Sequence, residues 1–275
     1  MDAQDNFATL LAAGAAQAKP HEIPGGEPCV LVPENYIVHG LEKHMPRPMR
    51  KRGKVTTTDS KGFIFYTTKH GNQDSSVIYA DIDAEASKFN LVCVLNDHGS
   101  EEDAQDWKDH LCIFTPTQAI EWRRWTGHDR KNFSQAEFAT WLEDNMSDVA
   151  SVEGMPKGAD ILQMALGFEA TADKRLRSKI NLQNGGTQFE YVDDEDKDTR
   201  TKMQVFERFT LGLPVFDGST SAYPIEARLK YREKDGRVTF WYELIRPDRV
   251  FKTAVEEELN RIQTETGFNI VAGRP

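Results

Sequence analysis

The plainest hydrophobic pattern lies in the last third of the chain. In PIEARLKYREKDGRVTFWYELI, Ile225, Ala227, Leu229 and Tyr231 alternate with Glu226, Arg228, Lys230 and Arg232. A period of two belongs to a strand with one face packed and the other wet. Asp235-Gly236 between two such runs is hairpin-turn chemistry, so the alternation predicts a β-hairpin over 222–246. SVIYADI, FNLVCVLN and LCIFT are shorter apolar runs that predict three further strands. KINLQNGGTQFEYV predicts two short strands around Asn184-Gly185-Gly186, and CVLV predicts another, ended by Pro33.

Elsewhere the period lengthens to that of a helix. Phe7, Leu10, Leu11 and Ala15 form one stripe over 4–18, weakened at Gly14. YIVHGLEKHM reads as one or two short helical turns. In TTTDSKGFIFYTTKHG, Asp59 stands in an N-cap position, Phe63, Tyr66, Thr67 and His70 share a face, and Gly71 is placed to end the helix, while the β-branched and aromatic content leaves a strand as the alternative. TPTQAIEWRRW predicts a helix whose Trp122 and Trp125 pack in a core or interface. SQAEFATWLEDNM predicts another, opened by a Ser134/Glu137 capping box. GADILQMALGFEATADKRLR predicts a third, and DRVFKTAVEEELNRIQTETG a last one, capped by Asp248 and stopped by Gly267.

Strands and helices come in clusters, not in strict alternation, so the fold class is α+β. The expectation is an antiparallel sheet with the 222–246 hairpin at its heart, covered on one face by amphipathic helices. Pro20 and Pro24-Gly25-Gly26 set off an N-terminal helix and linker arm, 1–27, from a single domain, 28–275.

Composition narrows the class. With 275 residues, 39% hydrophobic and 28% charged, the chain can bury a core and still carry a large solvated surface. No run approaches the roughly 20 apolar residues that cross a bilayer, so no membrane partner is expected. FATLLAAGAA follows Asp2 and Asp5 and lacks a basic flank, which suits an amphipathic helix better than a signal peptide. The net charge of −10 argues against a general DNA coat. Charge is nevertheless blocked: PRPMRKRGK concentrates Arg47, Arg50, Lys51, Arg52 and Lys54, whereas DDEDKD concentrates Asp193, Asp194, Glu195 and Asp196. The basic block reads in three ways: a contact to an acidic neighbour, a track for phosphates, or a solvated loop. Cys29, Cys93 and Cys112 form no C-x-x-C motif and read as small buried hydrophobes.

Candidate chemistry is sparse. VLNDHGSEEDAQDWKDHLCIF puts His98 and His110 at the ends of two predicted strands, with Asp97 and Asp109 beside them. Histidine with carboxylate is metal-site and acid–base material, so Asp97, His98 and His110 are the candidates for a metal-dependent hydrolase. Neither histidine sits in H-x-x-x-H or H-E-x-x-H, and a histidine hydrogen-bonded to backbone is the plainer reading. Nucleophile-elbow, phosphate-loop and dinucleotide motifs are absent. No cofactor is implied, and a recognisable enzyme class is not expected. The charged face of the hairpin makes Arg228, Lys230 and Arg232 candidates for binding an anion or a partner.

Several motifs occur in one order: VLVPE, a Pro/Arg/Lys-rich stretch, TTTDS…F…Y…H, VLNDH…W.DH, W…Q.EFA.WLEDN and ARLKYR…DG. From Val30 to Gly273 this order resembles the YfdQ-like proteins of tailed bacteriophages and prophages. His98, Trp107, His110, Phe138 and the Arg228–Tyr231–Arg232 strand match that pattern. The resemblance implies a phage-encoded protein made in the host cytoplasm, from an early, non-structural part of the genome near recombination genes. It implies no activity, cofactor or residue role. With the blocked charge and the Phe7/Leu10/Leu11 stripe, the expectation is a homo-oligomer that binds or sequesters a host protein or anionic ligand. A nucleic-acid-linked accessory is the alternative.

Overall fold

A computed structural model describes residues 9–10, 12–14, 42–100, 105–168, 175–180, 186–192, 202–234 and 237–275. The chain falls into two compact units, Met1–Lys51 and Arg52–Pro275. In the first, residues 9–10 and 12–14 are helical and exposed, as the sequence pattern predicts. A 3-10 turn, Glu42–His44, lies within the segment read as short helical turns. The Glu42 carboxylate accepts from the Met49 N–H at 3.0 Å, which folds the start of the basic block back over that turn.

The second unit contains a five-stranded mixed sheet of β1 (Gly53–Thr57), β2 (Val77–Asp83), β3 (Lys88–Val94), β4 (His110–Phe114) and β12 (Asn269–Ala272). Its order is β1-β4-β3-β2-β12, with the two edge strands parallel to their neighbours. Both edges are absent from the sequence reading. Helix α1 (Ser60–His70) packs on β1 and β4. Asp59 caps it, its carboxylate accepting from the Gly62 N–H at 2.7 Å. Gly71 ends α1 for a reason other than left-handed backbone, since its φ is −84°. A Cβ there would stand 2.6 Å from the Phe268 ring and 2.7 Å from the Thr67 carbonyl oxygen, so close packing requires the glycine.

The second sheet is antiparallel: β5 (Phe133–Ser134), β11 (Arg237–Leu244), β10 (Tyr223–Lys234) and β9 (Arg208–Leu213), in the order β5-β11-β10-β9. The expected hairpin is β10 and β11, and its Asp235-Gly236 turn lies outside the described residues. On its inner face pack α2 (Ile120–Gly127) and α3 (Gln135–Asn145), and α4 (Gly158–Leu166) packs against α3. The Ser134/Glu137 capping box opens α3. Trp122 and Trp125 are fully buried, and Tyr242 donates its hydroxyl to the Trp125 carbonyl at 2.7 Å.

A third sheet joins β6 (Arg175–Ile180), β7 (Gly186–Val192) and β8 (Lys202–Phe206). The helix expected to run on through Arg177 therefore stops early: α4 ends at Leu166, and Arg175 already pairs with Val192 across a ladder. Pairing with the next strand along the chain overrides the helix-forming Ala, Lys and Arg content there.

Helix α5 (Pro247–Thr266) leans on β10 and β12 and ties the two larger sheets together. Its Phe251, Ala254, Val255 and Ile262 enter one continuous core shared by both. Asp248 is not its cap: Arg246, at φ 53°, holds that position, Pro247 starts the helix, and Asp248 lies in the first turn. Two hydrogen bonds of 2.9 and 2.6 Å from Arg246 to Asp248 hold that left-handed residue. Gly267 ends α5 at φ 71°, as expected of a glycine C-terminus. The fold class is α+β, with one mixed and two antiparallel sheets among the described residues where a single antiparallel sheet was expected.

Candidate functional site

The hairpin alternation acts on both faces of the second sheet. Ile225, Ala227, Leu229, Phe240, Tyr242 and Leu244 point inward and are buried. The opposite parity leaves Glu226, Arg228, Lys230, Arg232 and Lys234 of β10 exposed. Register places Arg237, Thr239, Trp241 and Glu243 of β11 on the same outer face, and Arg208 of β9 directly opposite Arg228. The outward positions of β9 to β11 thus carry six cationic side chains, namely Arg208, Arg228, Lys230, Arg232, Lys234 and Arg237. Two carboxylates, Glu226 and Glu243, oppose them.

The carboxylates sit at the end of the face away from the hairpin turn. Glu226 approaches Arg208 at 3.5 Å, and Glu243 approaches Arg228 at 4.0 Å. Exposed pairs of this kind contribute about 0–1 kcal/mol. Toward the turn, Lys230, Lys234 and Arg237 form no ion pair among the described residues. Lys230 lies opposite Trp241, and the Arg232 guanidinium stands 5.7 Å from the centre of the Trp241 ring. The Trp241 indole N–H donates to Glu243 at 3.4 Å. A depression of about 400 Å³ opens between β9 and β10, lined by Glu207, Arg208, Arg228, Leu229, Lys230 and Tyr231.

This arrangement does not maximise sheet stability. Two like-charged pairs, Arg208 with Arg228 and Lys234 with Arg237, face each other directly across the ladder, and such pairs are destabilising. Uncompensated positive charge on a flat, wet face attracts anions.

The histidine-bearing end of the first sheet is built differently. Asp97 is buried, 5% exposed, and accepts from the Tyr79 hydroxyl at 2.9 Å, the Lys108 ammonium at 2.7 Å and the His98 N–H at 2.7 Å. Burial works to raise its pKa, but the Lys108, His98 and Tyr79 hydrogen bonds outweigh it and hold the carboxyl below its ordinary value. Lys108 adopts a left-handed φ of 52°. His110 is buried, its Nε2 3.1 Å from the Tyr66 hydroxyl and its N–H donated to Asn96 at 2.8 Å. His98 is exposed and accepts the Asp106 N–H at 3.2 Å. The two histidine rings are therefore committed to separate partners, His110 to Tyr66 and His98 to the Asp106 N–H. Among the described residues no group of three or more His, Cys, Asp or Glu converges to hold a metal ion.

Of the other singled-out residues, Leu10 is 71% exposed, while Phe7, Leu11 and Asp193, Asp194, Glu195 and Asp196 lie outside the described residues. Arg47, Lys51, Arg52 and Lys54 are exposed, and Arg50 is half-buried. Cys93 and Cys112 are buried thiols on adjacent strands, and burial pushes Cys112 up to about 12, far from a reactive thiolate. Sequence reasoning missed four members of the cationic face. Lys234, Arg237 and Trp241 were within reach, because the alternation that turns Arg228 outward turns them outward too, the two cations exposed and Trp241 half-buried. Arg208 was in reach as well, since Phe209, Leu211 and Leu213 alternate with Arg208, Thr210 and Gly212, but that strand went unread.

Fold and site together define an α+β protein with one flat cationic sheet face and no helix, among the described residues, long and apolar enough to cross a membrane. The chain belongs to the DUF2303 family of uncharacterized conserved proteins, whose model matches residues 3–275. No curated protein and no solved structure matches it.

Proposed function

We propose that this protein works by binding, holding an anionic ligand against the outer face of the second sheet, without catalysis of its own. One observation carries the reading: six cations against two carboxylates on one exposed sheet face, with like charges left directly opposite each other. A surface shaped only for solubility intersperses signs. The resemblance of the ordered motifs to YfdQ-like proteins supports a phage or prophage origin and work in the host cytoplasm, where sequestering an anionic host molecule would serve takeover or defence evasion. The working form is a homo-oligomer, supported by the basic and acidic blocks on one chain and by the exposed Leu10. A metal-dependent hydrolase at His98 and His110 draws less support, since each histidine has its own structural partner.

Titration of the purified chain with long-chain inorganic polyphosphate tests the binding claim. Binding is expected at low salt, with affinity falling by orders of magnitude between about 50 and 200 mM; no heat and no shift at low salt would overturn it. Light scattering tests assembly: a mass that is a multiple of 31.2 kDa is expected, and a clean monomer at micromolar concentration would overturn it.

A further inference from the structure

Resting on that anionic-ligand reading, we infer that the ligand is single-stranded nucleic acid, laid along β10 with a base against Trp241. The geometry of the charge comes first. Arg228, Lys230, Arg232 and Lys234 occupy successive outward positions of one strand. Same-face side chains on a strand repeat every two residues, about 7 Å, so this row extends over about 20 Å. A compact anion calls for donors that converge on one point; these are set out along a line. A linear polyanion with evenly spaced phosphates matches them one to one.

The aromatic ring then separates a nucleic acid from other linear polyanions. Trp241, half-buried, lies opposite Lys230 in the middle of the row, its indole N–H held by Glu243 and the Arg232 guanidinium over one face of its ring, which leaves the other face for a base. It is the one aromatic residue at the outward positions of β9, β10 and β11. Polyphosphate gains nothing from an indole, whereas an unstacked base gains a flat partner, to which a neighbouring arginine adds a cation–π contribution. A duplex keeps its base faces inside the stack, so the ring favours a single strand, as on other sheet faces where aromatics take up bases. Glu226 and Glu243 repel phosphate at the end away from the turn, which sets the backbone toward Lys230, Arg232 and Lys234.

Fluorescence anisotropy of the full chain with labelled single-stranded DNA and RNA oligonucleotides, a duplex of equal length and inorganic polyphosphate as competitor tests this. The expected result is preference for a single strand of either sugar over the duplex. Trp241→Ala should weaken single-strand binding about five- to a hundred-fold, leave polyphosphate binding unchanged, and be largely rescued by Trp241→Phe. Thermal melting of both variants checks that the sheet remains folded. Equal affinity for duplex, polyphosphate and single strand, indifferent to Trp241→Ala, would overturn this inference and leave the anion-binding reading standing. Binding of none of them at low salt would overturn both.

Discussion

The two larger sheets of this protein have like inner faces and unlike outer ones. Inward, each buries aromatic and aliphatic side chains in the same core: Phe89, Leu91 and Phe114 from the first, Phe209, Phe240 and Tyr242 from the second. Outward, the first sheet presents half-buried Val77, Tyr79, Val92, Leu111 and Ile113, with Val271 45% exposed at its edge. The second presents a row of arginine and lysine. Both are stable strands in one fold, so the fold itself does not dictate what stands outside. The cations of the second sheet need a cause other than sheet formation, and their like-charge pairing argues against stability as that cause.

The comparison can be broken from the inside. Phe240 is fully buried and stacks on Phe138 at 5.1 Å, whereas its neighbour Lys230 is exposed across the pleat. Phe240→Ala is expected to cost about 3–5 kcal/mol in chemical denaturation, while Lys230→Gln should stay within about 0.5 kcal/mol. A large loss in the second variant would mean that the outer face is structural after all.

At the polar end of the first sheet, Asp97→Asn should cost about 1.5–3 kcal/mol at neutral pH, because it removes charge-assisted bonds to Lys108, Tyr79 and the His98 N–H. The folded pKa of Asp97 lies below its unfolded value. Its contribution is therefore complete above the ordinary carboxylate range near 4 and is lost as pH falls through the lower folded value. Urea midpoints measured from pH 7 downward should show a shallower acid decline in the variant than in the parent. Parallel curves would show that Asp97 is not the group holding that end together.

The smallest effect has the most telling sign. Lys234→Glu replaces a like-charge pair with Arg237 by an opposite one, and should stabilise the hairpin by about 0.2–1 kcal/mol while weakening polyphosphate binding. A variant that gains stability and loses ligand would set function against stability on this face. Loss of both would place Lys234 among the structural residues.

The same contrast explains what could be read from the chain. The hairpin was legible because Ile225 to Arg232 alternate without a break, a pattern only a one-sided strand needs. Helix ends were legible at Asp59, Ser134 and Gly71, and misread at Asp248, where Arg246 in a left-handed conformation holds the cap position instead. The edges of the first sheet were not legible. Lys54 of β1 pairs in parallel with Leu111, and Ile270 of β12 with Ile78, so their partners lie far along the chain and no local turn announces them. The site was half legible for the same reason: Arg228, Lys230 and Arg232 follow from local parity, whereas Arg208 joins them only through the pairing of β9 with β10.

The most direct test of the cationic face is the salt dependence of polyphosphate binding in the parent and in an Arg228→Gln/Lys230→Gln/Arg232→Gln triple variant of equal thermal stability. Each cation removed from the phosphate track should reduce the slope of log affinity against log salt by about one. The triple variant should bind more weakly, with a slope shallower by about three. An unchanged affinity and slope would contradict the assignment of ligand binding to this face.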